Sequence, residues 1–394
     1  MLVGLDQHDA LLRLRGSKVG LLAHPASVDR SLRHVSEVLE GLGLRPSIIF
    51  GPEHGYGGEA QDMITVADAR DRNGVTVRSL YGDAFEDLVP KRADLEGLDV
   101  LLVDMQDVGA RYYTFIWTAV LAARVARDAG VRVVILDRPN PLGGIEIEGA
   151  LPVSPLYLSF VGLEPLPIRH GLTLGEVVLW RAKVEGFPEG LVTVVPVQGL
   201  DRAAEAPAWD RPFVMPSPNM PTYETAQVYP GGCLLEGTNL SDGRGTTRPF
   251  EITGAPWVDG ERLARDLNGL GLPGFVARPL TFLPTFHKHR ALACGGVQVH
   301  VRRPDFRPVA TYVALIALAQ RQDPARFAFR TERYEFRDDV PAIDLLLGGP
   351  ATREAILAGE AVRDIAETAS QIPAENRAEV LAARQNWSIN KNGS

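Results

Sequence analysis

The sequence predicts an α/β protein in which a Rossmann-like parallel sheet domain is followed by a second, smaller α+β domain. Short apolar runs alternate with amphipathic segments through residues 1–150, which is the order of a parallel α/β sheet. The run at residues 100–103 is continuously apolar, as expected of a strand that is covered on both faces. Mixed helical and extended patterns follow residue 250. We therefore place the Rossmann-like domain at residues 1–250 and the C-terminal α+β domain at residues 251–394.

The elements of the first domain are predicted from their apolar spacing. Helices are expected at residues 31–41 and 113–128, where apolar residues recur at helical intervals. Thr173 and Glu176 have the spacing of a capping box, which predicts a further helix that runs to residue 183. Strands are expected at residues 18–22, 47–50, 75–80, 99–103 and 131–136.

The second half of the chain begins with a segment of different composition. Residues 207–249 are rich in proline, glycine and small polar residues, which predicts a long irregular segment with a functional role. Helices are expected at residues 261–270 and 309–321, with a strand at residues 297–301. Residues 390–394 are expected to be disordered.

The composition limits the classes of partner. With 394 residues, 45% of them hydrophobic and 23% charged, the chain has ordinary globular composition and enough length for two domains. A net charge of −8 argues against a surface that binds nucleic acid or anionic lipid, because both need clustered cations. A small molecule is therefore the expected partner, and assembly into a homo-oligomer stays open.

Cysteine usage and the first residues indicate the compartment. Cys233 and Cys294 are the two cysteines, and such sparse usage indicates a reducing compartment in which both are core thiols. Residues 1–15 mix charged and apolar side chains, unlike a signal peptide. No stretch approaches the roughly 20 apolar residues that span a bilayer. We expect a cytoplasmic protein without a membrane partner.

The candidate site lies at the ends of three predicted strands. Open parallel sheets bind ligands beyond the carboxyl ends of their strands, so the loops after residues 50, 103 and 136 should converge. The polar residues that these loops contribute are Glu53, His54, Asp104, Gln106, Asp107, Arg111, Asp137 and Arg138.

Glu53 is the leading catalytic candidate. It lies in the Gly-Pro-Glu-His-Gly segment at residues 51–55, where glycine lets the backbone approach a ligand closely. A glutamate on such a loop, beside aromatic and apolar neighbours, is suited to proton donation. The alternative is a carboxylate that caps a helix or holds the loop together.

A second loop, at residues 104–113, combines a carboxylate, an amide and a guanidinium from Asp104, Gln106 and Arg111. Together with two tyrosines, these groups could hold the hydroxyl and acetamido groups of a sugar and stack on its ring. For Asp107, an N-terminal helix cap is the alternative role.

No metal and no nucleotide cofactor is predicted. The histidines, including His54 and His170, lack the HExxH pattern or a comparable pair. Neither a GxxxxGK[ST] phosphate loop nor a GxGxxG turn follows the first predicted strand.

Six motifs carry a resemblance to a known family. They are FGPEHG at residues 50–55, DMQDVGARYYT at 104–114, LDRPNP at 136–141, RHG at 169–171, PSPNMP at 216–221, and EGTN to GTTRPF at 236–250. In these motifs the sequence resembles the NamZ-type family of exo-acting β-N-acetylmuramidases, glycoside hydrolases formerly catalogued as a domain of unknown function. The likeness extends from residue 4 to about residue 363.

The resemblance implies hydrolysis that releases N-acetylmuramic acid from the non-reducing end of peptidoglycan fragments, with a muramyl saccharide or muropeptide as substrate. It also implies a cleft between a Rossmann-like catalytic domain and the smaller domain, with Glu53 as the acid or acid/base. Two options stay open for the second catalytic function. Asp104 could be the partner carboxylate, or the substrate's 2-acetamido oxygen could act, oriented by Asp104 or Gln106.

Substrate-binding residues are expected in the same motifs. The lactyl carboxylate of N-acetylmuramic acid needs a cation, and a guanidinium can pair with it bidentately. Arg111, Arg138, Arg244 and Arg248 are the candidates for that contact. The expected substrate-binding residues are His54, Gln106, Arg111, Tyr112, Arg138, Asn140, His170, Asn219, Asn239, Arg244 and Arg248.

Two other functions remain as alternatives at this point. One is a metal-assisted hydrolase of another small substrate that uses His54, His170 and Asp104. The other is a muropeptide-binding protein that has lost turnover. Many relatives are exported, and the lack of an export signal here predicts intracellular recycling of cell-wall fragments.

Overall fold

A seven-stranded sheet forms the larger part of the protein. The computed structural model describes residues 1–61, 64, 67–302 and 304–385. The spatial order of the strands is β3-β4-β2-β1-β5-β6-β7, and all neighbouring pairs are parallel except β3 with β4. The strands are β1 (Val19–Ala23), β2 (Ile48–Gly51), β3 (Ala69–Arg70), β4 (Thr76–Ser79), β5 (Val100–Asp104), β6 (Arg132–Leu136) and β7 (Val192–Val195). The predicted fold class is confirmed.

Both faces of this sheet are covered. Along β5, Leu101 and Val103 belong to one hydrophobic cluster, whereas Val100 and Leu102 belong to another. Successive side chains of a strand point to opposite faces, so the two clusters lie on the two sides of the sheet. All four side chains are fully buried, which confirms the expectation from the apolar run.

The predicted helices of the first domain are present. The helices are α1 (His8–Leu12), α2 (Val35–Gly41), α3 (Arg92–Leu95), α4 (Phe115–Ala129) and α5 (Leu174–Val184). The capping box at the start of α5 is confirmed. The Glu176 amide donates to the Thr173 hydroxyl at 3.2 Å, and the Thr173 amide donates back to the Glu176 carboxylate at 3.0 Å.

The second domain has a small antiparallel sheet with strand order β8-β10-β9. Its strands are β8 (Ile252–Ala255), β9 (Phe275–Phe282) and β10 (Cys294–Val301). The helices from this half are α6 (Tyr223–Gly232), α7 (Gly260–Gly269), α8 (Pro308–Gln322), α9 (Ala342–Leu347), α10 (Ala351–Ala358), α11 (Val362–Ser370) and α12 (Ala374–Gln385). The last helix packs back against α5. The tail at residues 390–394, which was expected to be disordered, lies outside the described residues.

The helix α6 shows that the prediction of an irregular segment at residues 207–249 was wrong in part. Proline and glycine inside the segment argue against a helix, because both disfavour helix interiors. Tertiary packing overrides that preference. At Gly231 a β-carbon would lie 2.1 Å from the Pro308 carbonyl oxygen, so the close contact of α6 with α8 requires glycine there.

Among the described residues, none of the helices has both the length and the apolar character that crossing a bilayer requires.

Glu148 connects the two halves of the chain. Its carboxylate accepts hydrogen bonds from the backbone amides of Val309 at 3.3 Å and Ala310 at 3.0 Å, which lie in the first turn of α8. Such amides have no partner within the helix, so the carboxylate satisfies them. Burial raises the pKa of Glu148 from 4.5 to about 7, although these two hydrogen bonds and Arg169 favour the charged form.

This raised pKa predicts a pH dependence of stability. The folded state holds the Glu148 proton more tightly than the unfolded state, so the contribution of Glu148 is fully present below pH 4.5 and is lost as the pH rises through about 7. In the wild type, Glu148 should therefore lower the free energy of unfolding by up to about 3 kcal/mol between pH 5 and pH 8. Glu148→Gln should lack this part of the decrease.

Urea unfolding at several pH values measures this effect. Glu375→Gln, which removes an exposed carboxylate, controls for the change in net charge. An identical pH dependence in the wild type and in Glu148→Gln would contradict the role of Glu148.

Candidate functional site

The loop after β2 folds back sharply and carries Glu53. The Gly55 amide donates to the Pro52 carbonyl at 2.9 Å, and His54 adopts a left-handed conformation with φ of 71°. At Gly51 a β-carbon would lie 2.4 Å from the Tyr56 amide nitrogen, so any larger residue would block the fold-back. A non-glycine residue with positive φ is strained, and such strain is often found at functional sites. The loop therefore holds Glu53 in a defined position beyond the strand end.

Glu53 opens onto a pocket that is open to solvent at its mouth. The walls come from the loops after β2 and β5, from the region of α6, and from segments of the second domain. The lining residues are Glu53, His54, Tyr112, Tyr113, Thr114, Val161, Ser217, Asn219, Met220, Tyr229, Cys233, Glu236, Arg244, Phe250 and Glu335.

The Glu53 carboxylate is fixed by the residue that precedes α4. Thr114 donates its hydroxyl to Glu53 Oε2 at 2.7 Å, and the Glu53 side chain is only 6% exposed. The carboxylate thus lies close to the amino terminus of the 15-residue helix α4. A buried, hydrogen-bonded carboxylate at the wall of a pocket can exchange a proton with a bound ligand.

Two tyrosines from the loop after β5 form another part of the wall. The Tyr112 hydroxyl donates to the Pro230 carbonyl at 3.1 Å. The Tyr113 hydroxyl is buried and faces Ser217, without a hydrogen bond of ordinary geometry. Burial raises the pKa of both phenols well above the usual value, so both stay protonated. Both offer ring surface to the pocket, and the Tyr113 hydroxyl can also donate a hydrogen bond to a ligand.

A charged network forms the wall that the second half of the chain provides. Arg244 donates to Glu236 at 2.8 Å and to Asp242 at 3.0 Å. Lys288 lies 3.4 Å from the same Asp242 carboxylate. Burial opposes the charge on Asp242, but Lys288 and Arg244 outweigh it and hold the pKa of Asp242 well below its usual value. Tyr334 completes the network, because its hydroxyl donates to Glu236 Oε2 at 2.7 Å.

The predicted convergence of the three strand-end loops is confirmed. Thr114, from the loop after β5, contacts Glu53 from the loop after β2. Gln106, from the loop after β5, donates its side-chain amide to the Pro139 carbonyl, from the loop after β6, at 3.0 Å. Five predicted site residues line the pocket: Glu53, His54, Tyr112, Asn219 and Arg244.

Asp104 and Arg138 form a buried pair beneath the loops. Arg138 donates to Asp104 Oδ1 at 2.5 Å and to Oδ2 at 2.8 Å, and the Asp104 side chain has no exposed surface. Arg138 also donates to the Val28 carbonyl at 3.0 Å. The pair joins the ends of β5 and β6, and neither residue is part of the pocket wall.

Arg111 is directed into the protein interior. Its guanidinium is fully buried and donates to the backbone carbonyls of Ala150 and Leu166, both at 2.7 Å, and of Leu346 at 2.5 Å. Burial lowers its pKa to about 10. These contacts connect the loop after β5 to α9 in the second half of the chain.

The other predicted binding residues make local contacts away from the pocket wall. Asn140 donates to the Leu172 carbonyl at 3.0 Å and shapes the loop after β6. Asn239 donates to the Arg326 carbonyl at 2.7 Å. Arg248 is 44% exposed and lies 3.5 Å from Glu251.

The alternative role considered for Asp107, an N-terminal helix cap, was wrong. The nearest helix in sequence, α4, begins at Phe115. Asp107 Oδ2 instead accepts the Gly109 amide at 2.7 Å and so stabilises a turn within the loop. The fully buried His170 lies beside it, with Nε2 at 3.3 Å from the same carboxylate oxygen.

The three candidate metal ligands of the alternative hydrolase function contact different partners. His54 Nδ1 lies 2.9 Å from the Ala60 carbonyl oxygen, His170 contacts Asp107, and Asp104 pairs with Arg138. Over the described parts of the chain, no group of three or more His, Cys, Asp or Glu side chains is placed to hold a metal ion.

Sequence reasoning missed two carboxylates of the pocket, Glu236 and Glu335. Glu236 lies in the short 3₁₀ helix Cys233–Gly237, which follows α6 directly. The strand-end rule of parallel sheets cannot select it, although its EGTN motif is a visible signal. Glu335 lies in a tight turn between Tyr334 and Arg337, for which we find no signal in the sequence.

Comparisons with known proteins agree over most of the chain. A family model described as "Exo-beta-N-acetylmuramidase NamZ, N-terminal" matches residues 19–224, and one described as "Exo-beta-N-acetylmuramidase NamZ, C-terminal" matches residues 227–378. The peptidoglycan beta-N-acetylmuramidase NamZ of Bacillus subtilis (strain 168) is 40% identical over 356 residues, which cover 90% of this chain and 83% of that protein.

Two crystal structures of DUF1343 family proteins from Bacteroides fragilis NCTC 9343 are similar to this fold. The structure at 1.65 Å resolution has a TM-score of 0.85 and 28% identity, and the alignment covers 98% of this chain and 97% of that chain. The structure at 1.30 Å resolution has a TM-score of 0.74 and 25% identity, with 97% and 98% covered. Together with the two family models, these similarities show that the chain belongs to the NamZ family of exo-β-N-acetylmuramidases.

Proposed function

We propose that this protein is a glycoside hydrolase that releases N-acetylmuramic acid from the non-reducing end of peptidoglycan fragments. The observation that carries the proposal is the buried Glu53 carboxylate at the wall of a polar and aromatic pocket, in a chain of this family. The B. subtilis relative is named for this activity. A pocket that combines tyrosine rings, hydroxyl groups and Asn219 suits a sugar with an acetamido substituent.

In the proposed mechanism, Glu53 is the general acid. It donates its proton to the glycosidic oxygen while the bond from that oxygen to the anomeric carbon breaks. Water then supplies the new hydroxyl at that carbon and gives its other proton to the Glu53 carboxylate. The Thr114 hydroxyl donates to Glu53 Oε2 and so orients the carboxyl group, which leaves the other oxygen to carry the proton. For the second catalytic function, the pairing of both Asp104 oxygens with Arg138 favours the 2-acetamido oxygen of the substrate as the group that assists, with Asp104 as a positioning residue.

We place the reaction in the cytoplasm, in the recycling of cell-wall fragments. Two free, buried cysteines fit a reducing compartment.

Glu53→Gln tests the acid role. The amide keeps the shape of the side chain but has no acidic proton, so kcat on a muramyl disaccharide should fall by ~10²-fold or more. The loss should be smaller on a chromogenic aryl β-N-acetylmuramide, because a phenolate leaving group needs less protonation. Release of N-acetylmuramic acid and of the aryl group measures the two rates.

Glu59→Gln is the matched control, because it makes the same change on an exposed residue of the same loop. Equal activity of wild type and Glu53→Gln would remove Glu53 from the mechanism. Binding of muramyl sugars by a wild type that releases no product would favour a binding protein instead.

Arg244→Lys tests recognition of the lactyl group. Of the four candidate arginines, Arg244 is the one that lines the pocket, and we propose that it contacts the lactyl carboxylate. Lysine keeps the charge but cannot bind bidentately, so the inhibition constant of N-acetylmuramic acid should rise by ~10-fold relative to that of N-acetylglucosamine.

The control for this substitution is Arg353→Lys, which replaces a guanidinium bound to the buried Asp344, and neither residue lines the pocket. The ratio of the two inhibition constants should not change in that variant. An equal rise for both sugars in Arg244→Lys would contradict the lactyl contact.

A further inference from the structure

The proposed reaction needs more than a proton donor. As the glycosidic bond breaks, positive charge develops on the anomeric carbon and ring oxygen, and a fixed negative charge nearby lowers the energy of that state. Two carboxylates besides Glu53 line the pocket, namely Glu236 and Glu335. Asp104 does not line it, and both of its oxygens are paired with Arg138.

Glu236 is held in one orientation by contacts on both oxygens. Arg244 donates to Oε1 at 2.8 Å, and Tyr334 donates to Oε2 at 2.7 Å. Burial and the neighbouring Glu236 raise the pKa of Tyr334, so its hydroxyl stays protonated and remains a donor. Each carboxylate oxygen has two lone pairs, which leaves Glu236 able to interact with a ligand in the pocket.

The partners of Glu236 are themselves fixed. The Arg244 backbone amide and side chain both donate to Asp242. Lys288 donates at 2.8 Å to the carbonyl of Leu235, the residue that precedes Glu236. Two cations and two carboxylates thus form a buried network with balanced charge. A charge that is oriented before the reaction needs no reorganisation as the transition state forms.

We infer that Glu236 is a second catalytic residue, which stabilises the positive charge of the sugar ring in the transition state. The inference rests on the proposed function. Glu236 forms no covalent bond in this role. The electron pair of the broken bond leaves with the glycosidic oxygen, which takes the proton from Glu53, while the charge on the ring interacts with the Glu236 carboxylate.

A cationic inhibitor separates this role from a structural one. We would measure the binding of two ligands by calorimetry. One is an iminosugar that carries the muramyl substituents and a protonated ring nitrogen, and the other is N-acetylmuramic acid, whose ring is neutral. In Glu236→Gln, affinity for the iminosugar should fall by ~10-fold or more, with less than about a threefold change for N-acetylmuramic acid. The kcat should fall by ~10²-fold or more.

Glu251→Gln is the matched control. Glu251 is also buried, and its carboxylate accepts a hydrogen bond from the Thr225 hydroxyl at 2.8 Å. It lies 3.5 Å from Arg248 but does not line the pocket. Both affinities and kcat should be unchanged in that variant. If thermal unfolding shows that Glu236→Gln does not fold, Glu236→Asp moves the charge by one methylene and should give a smaller loss, again confined to the iminosugar.

Two results would overturn the assignment. Equal weakening of both ligands would indicate that Glu236 only shapes the pocket. A loss confined to the iminosugar in Glu335→Gln, with none in Glu236→Gln, would move the role to Glu335. Failure of the wild type to hydrolyse the muramide would contradict the proposed function itself, whereas normal turnover by Glu236→Gln would contradict this inference alone.

Discussion

Burial of both faces of the parallel sheet is the constraint on which the rest of the structure depends. Hydrophobic clusters cover both sides of β5, so its first polar side chain is Asp104, at the carboxyl end of the strand. The functional side chains that the sheet contributes therefore lie at the carboxyl ends of its strands, where the chain leaves the sheet in loops. The order β2-β1-β5-β6 brings the loops after β2, β5 and β6 to one edge. Glu53 and Thr114 meet there, although 61 positions separate them.

Buried charge is the second feature of the site, and the protein compensates for it in two different ways. Beneath the loops, Asp104 and Arg138 form a closed pair that joins two strand ends. At the pocket wall, Arg244 is shared between Glu236 and Asp242. Removing one member of such a group leaves an uncompensated buried charge, which is strongly destabilising. The network that compensates these buried charges therefore also presents the Glu236 carboxylate to the pocket.

The second half of the chain completes the site. The first domain supplies Glu53 and the tyrosine wall, while residues after α6 supply Glu236, Arg244 and Glu335. Contacts outside the pocket hold the two halves together, since Glu148 caps α8 and Arg111 binds the carbonyl of Leu346 in α9. A ligand in the pocket would touch both halves, so the geometry of the reaction depends on how they are joined.

The sequence by itself determined the parallel sheet, the converging loops, the capping box of α5 and the family, because apolar periodicity and short motifs are local properties. It also selected Glu53, whose loop follows a recognisable strand. Only the tertiary structure decided which side chains face the pocket. Arg111 and Arg138 look like ligand-binding residues in the sequence, yet their guanidiniums are used by backbone carbonyls and by Asp104. Glu236 enters the pocket because α6 packs on α8, a contact between distant segments that no local pattern encodes.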